Sequence, residues 1–245
     1  MPAEWHSQIS AYLVAQRSAG RPETTIYTRR QHLDHAARGL GGDPWAVTAD
    51  ALVQWTAEQE WARATRHGRR TTFRGFWSWG VETGRATVDA AAGLPVVTLG
   101  PPSPRPLPAA PLREAVAQAD SRVLLILRLA TEVGMRRGEI ARARTDDLEA
   151  DLVGWSLRVH GKGGRDRLVP VTDALAAEIR QHSGDYLFPG REDGHLSARY
   201  VGRLAADALP GAWTLHAGRH RFATLAHRES RDLLIVQDLL GHASP

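Results

Sequence analysis

Cysteine, lysine and long apolar runs are all scarce in this 245-residue chain. With no cysteine, it can form neither disulfides nor zinc fingers, and it has no thiol nucleophile. The longest strictly apolar run lies near Val123–Leu127, which is far too short to span a bilayer, and the N-terminus has no secretory signal pattern. These absences predict a cytoplasmic protein with no membrane partner.

The scarcity of lysine is informative because the chain has thirty arginines and a single lysine, Lys162. Arginine stays protonated at any useful pH, whereas lysine can release a proton when its pKa is shifted. A single lysine in one turn therefore suits a role in proton transfer. The alternatives are chance and a turn that tolerates any polar residue.

The charge balance is mildly positive, with a formal net charge of +4. Residues 1–107 contain 12 arginines and 9 acids, and residues 108–245 contain 19 basic groups and 18 acids. The surplus is therefore concentrated in the first part of the chain. It favours an anionic partner without proving one.

Residues 4–83 have the apolar periodicity of helices. Thr48 is the predicted N-cap of a third helix, and a fourth helix is predicted from about Ala64 to Glu82. The apolar positions at helical spacing are Trp5, Ile9, Tyr12, Leu13, Tyr27, Leu33, Ala37, Phe73, Phe76, Trp77 and Val81. This pattern predicts a small helical domain.

A proline-rich segment interrupts the pattern at residues 93–112, where five prolines lie between positions 101 and 108 besides Pro95. Such a segment favours an extended linker over a helix. We therefore divide the chain into a helical domain at residues 1–93, a linker at residues 94–108 and a second domain at residues 109–245.

The second domain is predicted to be helical around one β-hairpin. Residues 152–160 alternate, with Val153, Trp155, Leu157 and Val159 on one face, and they pair with residues 167–171 across a turn that holds Lys162. The predicted helices are 112–119, 123–133, 137–143, 173–181, 197–207, 215–227 and 232–240. The fold class is therefore mainly α with a small antiparallel β-hairpin or sheet.

Four short motifs follow one another in this domain. They are Gly134-Met-Arg-Arg-Gly-Glu-Ile, Gly161-Lys-Gly-Gly-Arg-Asp-Arg-Leu-Val-Pro, Leu215-His-Ala-Gly-Arg-His-Arg and Leu240-Gly-His-Ala-Ser. In this order, over about 110 residues, they resemble the α+β catalytic domain of the tyrosine recombinase family, which includes phage integrases and Xer-type recombinases. The first 90 residues resemble, more weakly, the helical, SAM-like core-binding domain of that family.

The resemblance implies a catalytic set with supporting residues Glu139 and His220. The catalytic residues would be Arg136, Lys162, His216, Arg219 and His242. These residue types suit phosphodiester transfer, because two guanidinium groups can hold the non-bridging oxygens while lysine protonates the departing 5′-oxygen. No metal or other cofactor is required, and a zinc site at His216 and His220 would lack a third ligand.

Double-stranded DNA at a recombination site is the implied partner, clamped between the two domains. The predicted DNA-binding arginines are Arg63, Arg66, Arg69, Arg70, Arg74, Arg165 and Arg167. Contacts of this kind go mostly to phosphates and are weakened by salt. The alternative for the run at residues 63–74 is a solvated helix face.

The sequence departs from the family pattern at the nucleophile. In the family, a tyrosine lies about nine residues beyond the last histidine, and none of the tyrosines here, Tyr12, Tyr27, Tyr186 and Tyr200, occupies that place. We therefore expect the catalytic domain to be incomplete at its C-terminus, and the chain as given to be cleavage-deficient. Donation of a tyrosine by another chain is also open.

The function implied by the resemblance is site-specific DNA recombination through a 3′-phosphotyrosine intermediate. The complete family enzyme works as a homotetramer on two DNA sites. The alternative is a non-catalytic DNA-binding derivative that occupies recombination sites. A metal-dependent nuclease would need an acidic metal site, which the sequence does not contain.

Overall fold

The computed structural model describes residues 2–100, 103–161 and 164–241. The chain divides into two compact units, Met1–Pro102 and Ser103–Pro245, and the division lies within the proline-rich segment. In the described ranges, no helix combines the length and apolarity needed to cross a membrane.

Across residues 2–100, the first unit has four helices and one short 3₁₀ turn. They are α1 (Ala3–Ser18), α2 (Glu23–Leu40), the turn Pro44–Ala46, α3 (Ala49–Ala57) and α4 (Arg63–Glu82). The predicted cap at Thr48 is confirmed, since its hydroxyl accepts a hydrogen bond from the backbone N–H of Ala51 at 3.2 Å. This bond satisfies one of the amides that the first turn of a helix leaves without a partner.

Aromatic side chains fill the core of this unit. Phe76 stacks with both Trp5 and Trp45, at ring-centroid distances of 5.9 and 5.0 Å. Two predicted core positions were wrong, because Tyr27 is 64% exposed and Val81 is 38% exposed. The buried positions are their neighbours in sequence, Ile26 on α2 and Gly80 beneath Trp45 on α4.

The segment predicted as a linker is anchored at both ends. Leu94 is buried in the first unit, where its carbonyl accepts a hydrogen bond from Arg70 Nε at 3.1 Å. Leu107 is buried in the second unit, and its N–H donates to the carbonyl of Ala217 at 2.9 Å. Apolar side chains at each end thus hold parts of this proline-rich stretch against their own unit.

In its described residues, 103–161 and 164–241, the second unit has seven helices and a small sheet. The helices are α5 (Ala109–Gln118), α6 (Ser121–Thr131), α7 (Arg137–Ala141), α8 (Asp173–Arg180), α9 (Ala198–Ala208), α10 (Leu215–Ser230) and α11 (Leu233–Leu240). The strands are β1 (Leu148–Ala150), β2 (Trp155–His160), β3 (Asp166–Val171) and β4 (Pro189–Glu192), and a 3₁₀ turn lies at Thr145–Asp147. The predicted fold class, mainly α with a small antiparallel sheet, is confirmed.

Several element boundaries differ from those predicted, most clearly at the start of α5 and at the start of β2. Helix α5 begins at Ala109 rather than at Leu112, because Pro111 lies in its first turn, where proline has no helical hydrogen bond to break. Strand β1 was not predicted, and it makes the sheet three-stranded in the order β1-β2-β3. Val153 is 97% exposed, since it lies in the turn before β2 and not in the strand.

The turn after α6 positions the first motif. Gly134 has φ +70°, and a Cβ atom at this position would overlap the ring of Phe222 on α10. Its carbonyl also accepts a hydrogen bond from Arg219 of α10. Helix α10 packs against α6, so this glycine lets the chain turn sharply beside it and start α7 at Arg137.

We predict that Gly134→Ala destabilises the second unit by about 1–3 kcal/mol or more, since an L-residue is strained at this φ and its methyl group would displace Phe222. Urea unfolding followed by far-UV circular dichroism measures the loss. Gly184→Ala is the matched control, because Gly184 has no positive φ and its nearest neighbour is 3.7 Å from the added methyl. Equal losses in the two variants would contradict the prediction.

Candidate active site

The buried carboxylate of Glu139 lies at the centre of the site. Its side chain is 4% exposed, and its Oε2 atom accepts hydrogen bonds from the backbone N–H of Arg136 and from Arg167 Nη2, both at 2.8 Å. Oε1 accepts from Arg136 Nη1 at 2.8 Å and from Arg167 Nη1 at 3.3 Å. Burial alone would raise the pKa of Glu139, but these hydrogen bonds and charges outweigh burial and hold the pKa below its usual value.

Arg136 is the N-cap residue of α7, and Glu139 is the third residue of that helix. The carboxylate therefore closes the helix N-terminus through the backbone N–H of Arg136 and also fixes the guanidinium. The Arg136 side chain is still 43% exposed, so it is held by Glu139 on one side and open to a ligand on the other.

Arg219 comes from the buried face of α10 and is 5% exposed. It donates to the carbonyl of Gly134 and, at 2.7 Å, to the carbonyl of Leu240, and its Nη1 lies 3.8 Å from Glu139. Burial lowers the pKa of Arg219 to about 10, with the charges of Arg136 and Arg167 acting in the same direction and Glu139 opposing them.

Arg167 does not lie where a DNA contact requires. The sequence predicts that Arg167 binds DNA, but this residue is only 8% exposed. Its guanidinium donates hydrogen bonds to Glu139 and, from Nε at 2.8 Å, to the carbonyl of Leu239. Its neighbour on the same face of β3, Val169, is also buried. Arg167 thus joins the hairpin to α7 and to the end of α11.

His216 and His220 lie one turn apart on α10 with their Nε2 atoms 2.9 Å apart. At this distance one Nε2 atom donates a hydrogen bond and the other accepts it. Burial lowers the pKa of His220, and the positive charges of His216 and Arg219 lower it further. In the described part of the chain, no three His, Asp or Glu side chains are grouped so that they could hold a metal ion.

Some of the side chains described above line an open cleft of about 850 Å³ in the second unit. Its lining includes three predicted residues, Arg136, His216 and Arg219, which the fold brings together from two motifs. It also includes polar residues that we did not predict, namely Arg137, Ser197, Arg199, Tyr200, Arg203 and Thr214. The signal for the α9 residues was a pair of exposed arginines, Arg199 and Arg203, four positions apart opposite the buried Val201 and Ala205.

Of the other residues singled out in this unit, some lie in described parts of the chain and some do not. Lys162 and His242 lie outside the described residues. Arg165 is exposed, and its carbonyl accepts a hydrogen bond from the N–H of Gly161 at 3.1 Å across the base of the hairpin turn. Tyr186 packs under Arg144, from which its hydroxyl accepts a hydrogen bond at 2.9 Å.

The predicted DNA-binding arginines of α4 are mostly engaged within the first unit. Arg66 donates to the carbonyls of Thr56 and Gln59 at 2.5 and 2.6 Å, and Arg74 donates to the carbonyl of Ala92 at 3.1 Å. Arg69 lies over the Trp61 ring with its Nη1 atom 2.9 Å from His35 Nδ1, and Arg70 donates a hydrogen bond to the carbonyl of Leu94. Arg63 and Arg74 are the exposed members of this set.

Residues 109–245, more than half of the chain, match the Phage integrase family. The chain belongs to this family. Tyrosine recombinase XerD of Caulobacter vibrioides is 28% identical over 271 residues, covering 98% of this chain and 88% of the relative. Tyrosine recombinase XerC of Mycobacterium tuberculosis is 31% identical over 263 residues, covering 90% of this chain and 85% of the relative.

Solved structures share the integrase fold at low sequence identity. A lambda integrase (75–356) dimer bound to a COC′ core site has a TM-score of 0.77 at 21% identity, covering 98% of this chain and 95% of that chain. The XerH recombinase in a post-cleavage complex with palindromic difH substrate has a TM-score of 0.69 at 16% identity, covering 97% of this chain and 88% of that chain.

In this integrase-family chain we predict that Glu139→Gln lowers the free energy of unfolding at pH 7 by about 3–5 kcal/mol, because it leaves a cluster of guanidinium groups without its buried anion. A carboxylate with a lowered pKa stabilises the fold fully above its ordinary pKa of 4.5 and loses that effect as the pH falls through the folded value. The difference between variant and wild type should therefore narrow below pH 4.5.

Urea unfolding at pH 7 and at pH 3.5, followed by far-UV circular dichroism, measures both effects. Glu132→Gln is the matched control, since that carboxylate pairs with Arg128 but is 38% exposed, and its loss should cost less than about 1 kcal/mol. A difference that stays constant between the two pH values would show that charge is not the cause.

Proposed function

We propose that this chain carries the DNA-binding and phosphate-activating residues of a site-specific DNA recombinase. The enzyme would cleave and rejoin DNA strands through a 3′-phosphotyrosine intermediate, and its nucleophilic tyrosine is not among residues 1–245. The observation that carries the proposal is the convergence of Arg136, Arg219 and His216 on one open cleft. Membership of the Phage integrase family and the similarity to tyrosine recombinases support the same reaction class.

The charges at the cleft favour an anionic ligand. Arg136, Arg167 and Arg219 contribute three positive charges around the single carboxylate of Glu139. The mutual repulsion of these guanidinium groups contributes to the low pKa of Arg219. A phosphodiester placed against the exposed side of Arg136 would supply the missing negative charge, and the charge that develops in the transition state would be stabilised further.

Each residue has a specific part in the proposed reaction. The phenolic oxygen of the tyrosine attacks the phosphorus and displaces the 5′-oxygen, so that the phosphate stays attached to the tyrosine. Arg136 and Arg219 stabilise the non-bridging oxygens, with His216 and His242 as further donors. Lys162 protonates the leaving 5′-oxygen, and attack by a 5′-hydroxyl of a partner strand reverses the sequence of steps.

The arginines that line the cleft beside this pair extend the proposed DNA-binding surface. Arg137, Arg199 and Arg203 would contact phosphates next to the scissile one, and Arg63 and Arg74 of the first unit would contact other phosphates of the DNA. A lambda integrase tetramer has been solved on a Holliday junction, and we propose a homotetramer on two DNA sites here. Binding should weaken steeply with salt.

We predict that Arg136→Ala and Arg219→Ala each slow strand cleavage by about 10²-fold or more, since each removes a preorganised donor to the charged transition state. The affinity for intact DNA should change much less, because many other phosphate contacts remain. Single-turnover cleavage of nicked suicide substrates, in a form of the protein that carries the tyrosine, measures the rate.

Arg228→Ala is the matched control, since Arg228 is an exposed residue of the same helix, α10, outside the cleft. A polypeptide of residues 1–245 is a second control, which should bind DNA and form no covalent adduct. An adduct on Tyr200, which lines the cleft beside Arg203, would contradict our assignment of the nucleophile. Weakened binding with unchanged cleavage of bound substrate would contradict the catalytic role of Arg136 and Arg219.

A further prediction separates proton transfer from charge at Lys162. If this lysine is the general acid, Lys162→Arg should be nearly as slow as Lys162→Ala, because arginine keeps the charge but does not readily release a proton. A substrate with a 5′-bridging sulfur has a leaving group that needs little protonation. It should restore much of the cleavage in both lysine variants and little in Arg136→Ala. Full activity of Lys162→Arg on ordinary DNA would exclude the role.

A further inference from the structure

A histidine and two carboxylates form a cluster at the base of the lysine hairpin. His160 is the last residue of β2 and lies opposite Asp166, the first residue of β3. Its Nδ1 is 2.9 Å from Asp166 Oδ2, and its Nε2 is 2.8 Å from Asp147 Oδ1. The turn that contains Lys162 starts with the next residue, Gly161.

The geometry fixes the protonation state of the histidine. An ionised carboxylate only accepts hydrogen bonds, so a ring nitrogen that faces one must carry a proton. Both nitrogens of His160 face carboxylates, and the arrangement therefore requires the imidazolium cation. In agreement, the hydrogen bond to Asp147 raises the pKa of His160, with a smaller contribution in the same direction from Asp166 and an opposing one from burial.

The two carboxylates are not equivalent. The side chain of Asp147 is 8% exposed, and its Oδ2 atom accepts a hydrogen bond from the backbone N–H of Arg144 at 2.8 Å, so it is a fixed anchor. Asp166 is 39% exposed and belongs to the hairpin itself. Of the other charges on the sheet, Arg158 is paired with Glu149 and Arg167 with Glu139.

We propose that His160 is a pH-dependent positioning residue, whose cation fastens the base of the lysine hairpin to the turn Thr145–Asp147. The role in catalysis rests on the proposed function above, since it acts through the hairpin and not on the DNA. A neutral imidazole has one N–H, so it can donate to only one of the two carboxylates. The buried Asp147 keeps that bond, and the hairpin side at Asp166 is released.

The direction of the pH effect follows from the raised pKa. A histidine whose pKa is higher in the folded protein contributes its stabilisation fully below the ordinary value of 6.5 and loses it as the pH rises through the folded pKa. The hairpin base is therefore fastened in mildly acidic solution and loosened at alkaline pH.

The single lysine offers a selective probe. Reductive methylation with ¹³C-formaldehyde labels Lys162 and the N-terminal amine only. The relaxation of the Lys162 methyl groups reports the mobility of the hairpin turn, and exchange of the Gly161 amide reports the hydrogen bond to Arg165. The imidazole resonance of His160 gives its pKa in the same samples.

In wild type we expect mobility to rise as the pH passes the His160 pKa. His160→Gln should be as mobile at pH 6 as wild type is at pH 9, whereas His160→Arg, which keeps a cation with several donors, should be restrained at both. Asp147→Asn and Asp166→Asn should each lower the His160 pKa. His182→Gln is the matched control, since its side chain makes no hydrogen bond within the described residues, and it should behave as wild type.

Mobility that follows pH equally in His160→Gln, or a His160 pKa at or below 6.5, would overturn the proposal. Cleavage assays on the tyrosine-bearing form then test the role of His160 separately from the proposed function. We expect the wild-type rate to fall about 10-fold between pH 6 and pH 9, with His160→Gln slow at both and His160→Arg fast at both, as for a loss of positioning. If the relaxation data follow the expected pattern but neither wild type nor any variant cleaves DNA, the proposed function is rejected and the role of His160 at the hairpin base is retained.

Discussion

The ion cluster around Glu139 is the constraint on which the second unit depends. One buried carboxylate receives Arg136 from the start of α7, Arg167 from β3 and, at 3.8 Å, Arg219 from α10. Taking such charges out of water is costly unless each is paired and hydrogen-bonded. The fold lowers this cost in part by placing one carboxylate where three elements that are distant in sequence meet.

The same arginines complete the C-terminal end of α11. The last carbonyls of a helix have no partner within it, and here the carbonyls of Leu239 and Leu240 accept hydrogen bonds from Arg167 and Arg219. The helix therefore ends against the ion cluster, and Gly241 follows in a left-handed conformation at φ +62°. Arg219, which is proposed to hold the phosphate, therefore also stabilises the C-terminal end of α11.

Much of this arrangement could be predicted from the sequence, and the exceptions have physical causes. Helices with caps or clear apolar stripes, such as α3 behind Thr48, were predicted because local patterns determine them. Arg167 was assigned to DNA because charge usually indicates the surface, although its place two residues before Val169 on a strand indicated an inward face. The arginine pair of α9 indicated an exposed face of that helix but not its place in the cleft, since this place depends on how α9 packs against α7, a contact that no local pattern encodes.

The aromatic core of the first unit has a spectroscopic consequence. Six of the eight tryptophans, at positions 5, 45, 55, 61, 77 and 79, belong to that unit, and the second unit has only Trp155 and Trp213. Intrinsic fluorescence therefore follows the melting of the first unit and is comparatively insensitive to the second. The emission of a variant with a damaged ion cluster can remain close to that of the native protein while its catalytic half is unfolded.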